Sequence, residues 1–414
     1  MRLSRIGRFS MALAVSVALG LGMTACGGGT IGYIWVLGTQ YNQIAGFKVD
    51  NFTGNLTSVV RSPFSSNGTS PISIVVKPGG RYIYVVNKGD ANTSGNISLF
   101  SVGGDGVLTF QQSFTSRGST PVWAAVDSSG AYLYVLDTLY PDTPTYPNPN
   151  GLGDITVFAI DQTTGRLQLV PNQQFKDSNQ TQLTFFPVGA RPNMMRVSNG
   201  CLFTVNTGDQ TVTPYAIGAS GQLTFTANST IATGAGNITS ISTSGNYVYL
   251  TDAAPTADSA GGRILAYTVT ASSCSLNVLT GGPVNNLALT SNPVYSMTDN
   301  KGKTLYVLNR SSTDPNNRTS SISAFTIDPS LGKLSPLGTG GSATSGNPYA
   351  VGSGPVCMVE DTSNQYVYTS NNIDSTLTGR RIDSNSGELR DLTRGSTFST
   401  VGQPTCLALS GSTN

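Results

Sequence analysis

The chain of 414 residues sets 23 lysines and arginines against 21 aspartates and glutamates, and contains no histidine at all. A formal charge of +2 offers no general basic footprint for nucleic acid or anionic lipid, and without histidine a Ser-His-Asp triad and the commonest general base are excluded. Only 11% of the residues are charged while 48 are glycine, so the polar surface rests on Ser, Thr, Asn and Gln, a pattern of exported β-proteins.

The N-terminus reads as an address. Arg2, Arg5 and Arg8 form a basic start, and Met11 to Met23 is an apolar run too short for a spanning helix. Met23-Thr24-Ala25-Cys26 closes it with small residues before a cysteine. This resembles a bacterial lipoprotein signal, in which Cys26 is diacylated and becomes the mature N-terminus. The alternative is an ordinary cleaved signal with an incidental cysteine. On the lipoprotein reading, residues 1–25 are the signal, 26–30 a lipidated tether and 31–410 one folded domain. With Gly27 after the anchor, the resemblance implies an outer-membrane lipoprotein, periplasmic or surface-exposed. Removing three arginines takes the formal charge from +2 to −1 (2 − 3 = −1).

Beyond the tether the sequence repeats. An aromatic residue in a β-branched run, followed three residues on by Asn or Asp, recurs at Tyr84/Asn87, Tyr134/Asp137, Phe203/Asn206, Tyr249/Asp252, Tyr306/Asn309 and Tyr368/Asn371, with an incomplete first copy at Trp35. A proline precedes five of these, at Pro71, Pro121, Pro192, Pro293 and Pro355, and Asn237 takes its place in the sixth. Each unit reads as four short strands. In the second, Ile72 to Val76, Tyr82 to Val86, Ile97 to Val102 and a short run at Val107-Leu108 alternate apolar and polar residues between Gly, Asn, Asp and Ser turns. No comparable window shows helical periodicity.

Four-stranded units repeating every 40 to 50 residues or so are the signature of propeller blades. Six units are complete. A seventh is divided: Tyr33 to Val36, Ile44 to Val49 and Leu56 to Val59 lie near the start, and the missing inner strand, Thr405 to Leu409 after Pro404, lies at the far end. We therefore expect an all-β, seven-bladed β-propeller whose ring the C-terminal strand closes by joining the N-terminal blade, leaving no open sheet edge. Separate β-sandwiches would leave the divided unit unexplained.

The four cysteines besides Cys26 suit an oxidising compartment. Cys357 and Cys406 each stand two residues after the strand-opening proline of adjacent blades, and Cys201 and Cys274 sit at turns on one face. We expect the pairs 201 with 274 and 357 with 406; four buried free thiols are the alternative.

Runs such as Tyr82-Ile-Tyr-Val-Val-Asn87 and Leu305-Tyr-Val-Leu-Asn309, each preceded by a proline and a Gly turn, resemble the seven-bladed propeller lactonase family, related to bacterial 6-phosphogluconolactonase and to YVTN-repeat surface proteins. The resemblance covers about residues 31 to 410. It implies an Arg-His pair just after one strand-opening proline and a Glu after the Asn of the second strand, which together would hydrolyse a lactone. In the fourth blade Pro192 is followed by Asn193-Met194 and Asn206 by Thr207, so the implied pair and Glu are missing.

Substitutes are scarce. The two residues after each proline position form a ring at one mouth of the channel, and that ring holds no group able to titrate near neutrality apart from the two cysteines expected to be paired. Arg191 and Arg196, expected to flank the mouth where they could stabilise an oxyanion, are the weak catalytic candidates, and Glu360-Asp361 reads as the end of a strand running into a turn. Asp/Asn-rich loops such as 137–154 offer oxygen ligands without the spacing of a known calcium loop, and no Cys-x-x-Cys exists. No cofactor or metal is expected.

What remains is binding. Trp123 and Tyr295, with Asn193 and Met194, form a candidate ligand lining; the competing reading is that the aromatic residues only pack between blades. Long loops after the second strands gather on the same face. The sequence thus points to a lipid-anchored, monomeric, non-catalytic propeller whose partner is an envelope protein, a glycan or a small molecule. The alternative is a lactonase with a rearranged, His-free site.

Overall fold

A computed structural model of the chain describes residues 29–226, 230–255, 261–288, 291–311, 320–338 and 346–411. Cys26, the signal segment and parts of the loops 252–262 and 309–320 lie outside them. The described residues form seven antiparallel sheets, each with four strands in simple succession from the axis outward. Each inner strand packs against the inner strands of its two neighbours, all the way around the ring.

The divided blade closes as expected. Pro404–Gly411 pairs antiparallel with Thr30–Gly38, placing Leu409 opposite Ile34 and Leu407 opposite Val36. Gln43–Asp50 and Leu56–Ser58 complete this first blade. Counting from it, the inner strands are Pro71–Val76, Ser119–Val126, Pro192–Ser198, Ile238–Ser244, Ser291–Thr298 and Pro355–Glu360. The outer strand expected at Val107-Leu108 is longer, Leu108–Phe114. Six sheets also carry a short fifth strand, such as Phe64–Ser65 or Phe186–Ala190, on the third strand. Pairings of a few residues in a connecting segment carry no periodicity, so the sequence does not announce them.

The repeat has a physical basis. Its Asn ties the second strand of a blade to the third: Asn87 Nδ2 donates to Ser98 Oγ at 3.0 Å, Asn309 Nδ2 to Ser323 Oγ at 2.9 Å and Asn371 Nδ2 to Thr378 Oγ1 at 2.9 Å. Its aromatic residue ties one blade to the next. The hydroxyl of Tyr84 donates to Gly165 O at 2.7 Å, Tyr249 to Gly332 O at 2.9 Å, Tyr306 to Gly387 O at 2.7 Å and Tyr368 to Gly54 O at 2.6 Å, each glycine lying in the outer turn of the following blade. Trp35 Nε1 does the same to Gly106 O at 3.2 Å. These rings are fully buried. Each contributes apolar burial of about 2 to 3 kcal/mol and a hydrogen bond worth about 1 kcal/mol net.

Both expected disulfides form. Cys201 and Cys274 join the fourth and fifth blades with Cα atoms 5.6 Å apart, and Cys357 and Cys406 join the inner strands of the seventh and first at 5.1 Å. The second bond staples the strand that closes the ring.

Candidate functional site

Proline has no N–H to give to a ladder, so it suits the first residue of a strand, and here it is followed by an irregularity. The pairing register slips between Pro71 and Ser73, Pro192 and Met194, Pro293 and Tyr295, and Pro355 and Cys357, and the other inner strands slip at the same level. A bulge of this kind leaves one residue unpaired and re-aims its side chain. The seven residues at these bulges, Ile72, Val122, Asn193, Thr239, Val294, Val356 and Thr405, all line one axial cavity of about 1080 Å³. Thr138 and Leu139 at the end of the second strand of the third blade, Asn150 and Gly151 of the long loop that follows, and Arg191, Thr207 and Gly208 of the fourth blade extend its wall. That loop holds its shape through Tyr140, Tyr146 and Phe185, whose ring centroids lie 5.3 to 5.9 Å apart.

Trp123 and Tyr295 approach across the channel, with ring centroids 6.4 Å apart, and line both this upper cavity and a recess at the opposite end. Arg196 does not flank the mouth. It lines only the opposite recesses, with its guanidinium carbon 5.5 Å from the Trp123 ring and 5.3 Å from the Tyr295 ring, and donates to the Tyr295 hydroxyl at 2.7 Å. The reason is its place along the strand: Arg196 lies beyond the bulge, close to the end of Pro192–Ser198 away from the mouth, and each residue advances about 3.3 Å. Cation–π contacts of this kind are worth roughly 1 to 2 kcal/mol when desolvated.

Arg191 lines the upper cavity and is exposed, with a φ of 49°. Its carbonyl accepts from Thr207 N at 3.1 Å and Thr207 Oγ1 at 2.8 Å, and among the described residues its guanidinium forms no ion pair. Asn193 Nδ2 donates to Thr239 O at 3.3 Å, while Asn193 Oδ1 has no partner. Met194 is buried beside them. Cys406 also reaches the cavity, but its sulfur is bonded to Cys357, so no thiolate is on offer.

Two acid sites lie off the mouth. Behind its wall, Asp137 and Asp154 face each other as partners across the second and third strands of the third blade, both fully buried. Burial lifts Asp137 to about 8, against one hydrogen bond from Ser116 Oγ at 2.7 Å. Asp154 is raised by burial and by the charge of Asp137. Neither acid reaches the cavity. At the other end of the channel, burial pushes Glu360 up to about 7, with Asp299 and Asp361 adding to the rise and a 2.7 Å hydrogen bond from Asn300 N opposing it. Glu360 ends its inner strand just before a turn, as the sequence suggests, and the fold also sets it in the wall of a recess. Asp137 had a visible signal, an acid where the repeat has Asn, but its partner emerges only from the register. Among the described residues no three His, Cys, Asp or Glu side chains gather as a metal site would need.

Comparison with known proteins agrees with this architecture. Residues 30–185 match the family described as lactonase, seven-bladed β-propeller. A search of curated proteins gave no match. Among solved structures, a periplasmic gluconolactonase of Pseudomonas aeruginosa is 18% identical, with a TM-score of 0.65 over 93% of this chain and 100% of that one. A Bacteroides fragilis protein assigned as a candidate 6-phosphogluconolactonase is 17% identical, with a TM-score of 0.64 over 92% of this chain and 98% of its own. A Lactobacillus plantarum protein reaches 0.67 at 17% identity over 92% and 100%. At such identities the likeness is one of fold. The chain is thus a seven-bladed β-propeller whose residues 30–185 carry the sequence pattern of the lactonase family.

Proposed function

We propose that this protein is a lipid-anchored envelope propeller whose upper cavity binds a polyhydroxylated small molecule or the end of a glycan without turning it over. The observation that carries the reading is the make-up of the cavity wall. Among the described residues it holds one cation, Arg191, and no acid, lysine or free thiol, and the chain has no histidine. Lactone hydrolysis needs a group that can activate water or a nucleophile near neutral pH. The wall instead supplies aromatic faces at Trp123 and Tyr295, threonine hydroxyls and the unpartnered Asn193 Oδ1. Such a mixture of apolar surface and few convergent polar groups suits sugar recognition.

The test is calorimetric titration of the purified protein with gluconate and neutral sugars, beside a lactone-hydrolysis assay. We expect binding that Trp123→Ala weakens about tenfold, a loss of about 1.4 kcal/mol, and hydrolysis no faster than the uncatalysed rate. The family match favours a second reading, a lactonase with a rearranged site. Hydrolysis that disappears with Arg191→Ala would establish that reading and end ours. The anchor rests on Met23 to Cys26: Cys26→Ser should release the protein from the membrane fraction, and a wild type already free of membranes would refute it.

A further inference from the structure

We infer that the channel holds a second binding site, at the end opposite the upper cavity, built for a small zwitterion whose carboxylate meets Arg196 and Ser242 and whose ammonium meets Glu360. Below the Trp123–Tyr295 pair lie two adjoining recesses of about 350 and 310 Å³ that share Arg196 and Tyr295. The smaller one is also lined by Ser242 of the fifth blade and Glu360 of the seventh.

Three unanswered groups converge on it. Arg196 has no acidic partner among the described residues, and its guanidinium is committed only to the Tyr295 hydroxyl and the two rings. The remaining donors of a planar guanidinium are those that grip a carboxylate. Ser242 is 2% exposed, and its Oγ has no hydrogen-bond partner. Leaving a buried hydroxyl unmet costs roughly 1 to 3 kcal/mol, a cost that a bound oxygen would remove. Glu360 accepts one backbone bond from Asn300, and among the described residues no cation forms an ion pair with it. The charged groups facing it are Asp299, Asp361 and Lys301.

The choice of ligand class follows from the two charges. A simple anion would satisfy Arg196 while sharing the recess with a carboxylate, and a simple cation would meet the reverse conflict. A molecule carrying both charges meets both walls, and the recess has room for a small amino acid. This inference does not rest on sugar binding, because Trp123 and Tyr295 stand between the two cavities.

The experiment is calorimetric titration of the full-length protein in detergent at pH 8 with glycine, 4-aminobutanoate and 5-aminopentanoate, with acetate and propylamine as single-charge controls. At least one zwitterion should bind, with both controls about tenfold weaker or worse. Glu360→Gln, which preserves shape, should cost about tenfold, and Arg196→Lys a similar factor. Affinity should also fall between pH 8 and pH 6, as Glu360, lifted to about 7 by burial, takes up a proton. Absence of binding by all three zwitterions, acetate binding as tightly as they do, or an unchanged affinity in Glu360→Gln would overturn the inference. Loss of gluconate binding with the zwitterion retained would leave it standing and remove only the upper-site proposal.

Discussion

The seam between the fourth and fifth blades differs from the other six. At those six, a glycine in the outer turn of one blade lies against a side chain from the second strand of the blade before it: Gly106 against Tyr33, Gly165 against Tyr82, Gly221 against Tyr132, Gly332 against Tyr247, Gly387 against Thr304 and Gly54 against Tyr366. A β-carbon on any of these glycines would collide with its neighbour, and each has a positive φ. At the remaining seam, Cys201 stands in the tyrosine position and Cys274, with φ of 56°, in the glycine position. The repeat aromatic there is Phe203, which has no hydroxyl to donate. A covalent bond therefore replaces both the ring packed on glycine and the hydrogen bond that usually accompanies it.

Breaking that equivalence should have the largest effect. The Cys201–Cys274 bond encloses a sequence separation of 73 residues, for which the chain-entropy model gives a stabilisation of about 4 kcal/mol. The double variant Cys201→Ser, Cys274→Ser should lose most of this in denaturant unfolding. The double variant Cys201→Tyr, Cys274→Gly, which rebuilds the contact used elsewhere in the ring, should recover more than half. If the rebuilt seam were no more stable than the serine pair, the two solutions would not be interchangeable.

The same contrast between a position met and one left unmet recurs within blades. Asp252 and Asp137 both stand where the repeat has Asn. In the fifth blade, Asp252 faces Arg263 at 3.1 Å and accepts from the backbone N–H groups of Gly236, Asn237 and Ala254. In the third, Asp137 faces Asp154, and Asp137 Oδ2 and Asp154 Oδ1 have no partner. The position calls for a donor, as Asn206 Nδ2 shows by bonding Thr211 Oγ1 across the same register pair. A protonated carboxyl supplies one. Asp137 is pushed up to about 8 when folded, whereas an unfolded Asp titrates near 3.9. The folded state therefore keeps a proton that the unfolded state releases. Stability from this group is fully present below about pH 4 and drains away as pH rises toward 8. Asp137→Asn should remove that slope, raising stability at pH 8 on the order of 3 kcal/mol while changing little at pH 4. A variant whose stability relative to wild type did not vary between these two pH values would sink the shared-donor account.

How far the sequence carries depends on whether a feature repeats. Tyr84/Asn87 and its copies, the divided first blade and the placement of Cys357 and Cys406 were all legible, because each is fixed by position within a unit and the ring multiplies that position seven times. The ring of cavity residues was legible for the same reason, since the bulge follows the strand-opening position in every blade. Arg196 and Glu360 were not. Their meaning comes from which walls of the channel face each other, and this is set by the packing of non-adjacent blades. Asp154 was invisible as a partner because 16 residues separate it from Asp137, and only the hairpin register brings them opposite.

The finest version of the seam comparison concerns one hydroxyl. Tyr84 and Tyr134 occupy the same place in successive blades and are equally buried, yet Tyr84 donates to Gly165 O at 2.7 Å and the Tyr134 hydroxyl has no partner. The difference lies in the turns they approach. Gly165 closes a wide turn begun by Asp161, whose backbone carbonyl accepts the Gly165 N–H and whose side chain caps Thr163 and Thr164. The fourth blade has the shorter turn Gly218-Ala-Ser-Gly221 with no Asp to organise it. A similarly short turn, Gly103 to Gly106, is met in the second blade by Trp35, whose indole Nε1 donates sideways to Gly106 O at 3.2 Å. The Tyr134 hydroxyl meets no such acceptor in the fourth blade's turn. Tyr84→Phe should therefore cost about 1 kcal/mol, while Tyr134→Phe should cost nothing or stabilise slightly, because it deletes a buried hydroxyl that is already unmet. Equal losses in the two variants, measured by denaturant unfolding at one pH, would show that turn length does not govern the bond.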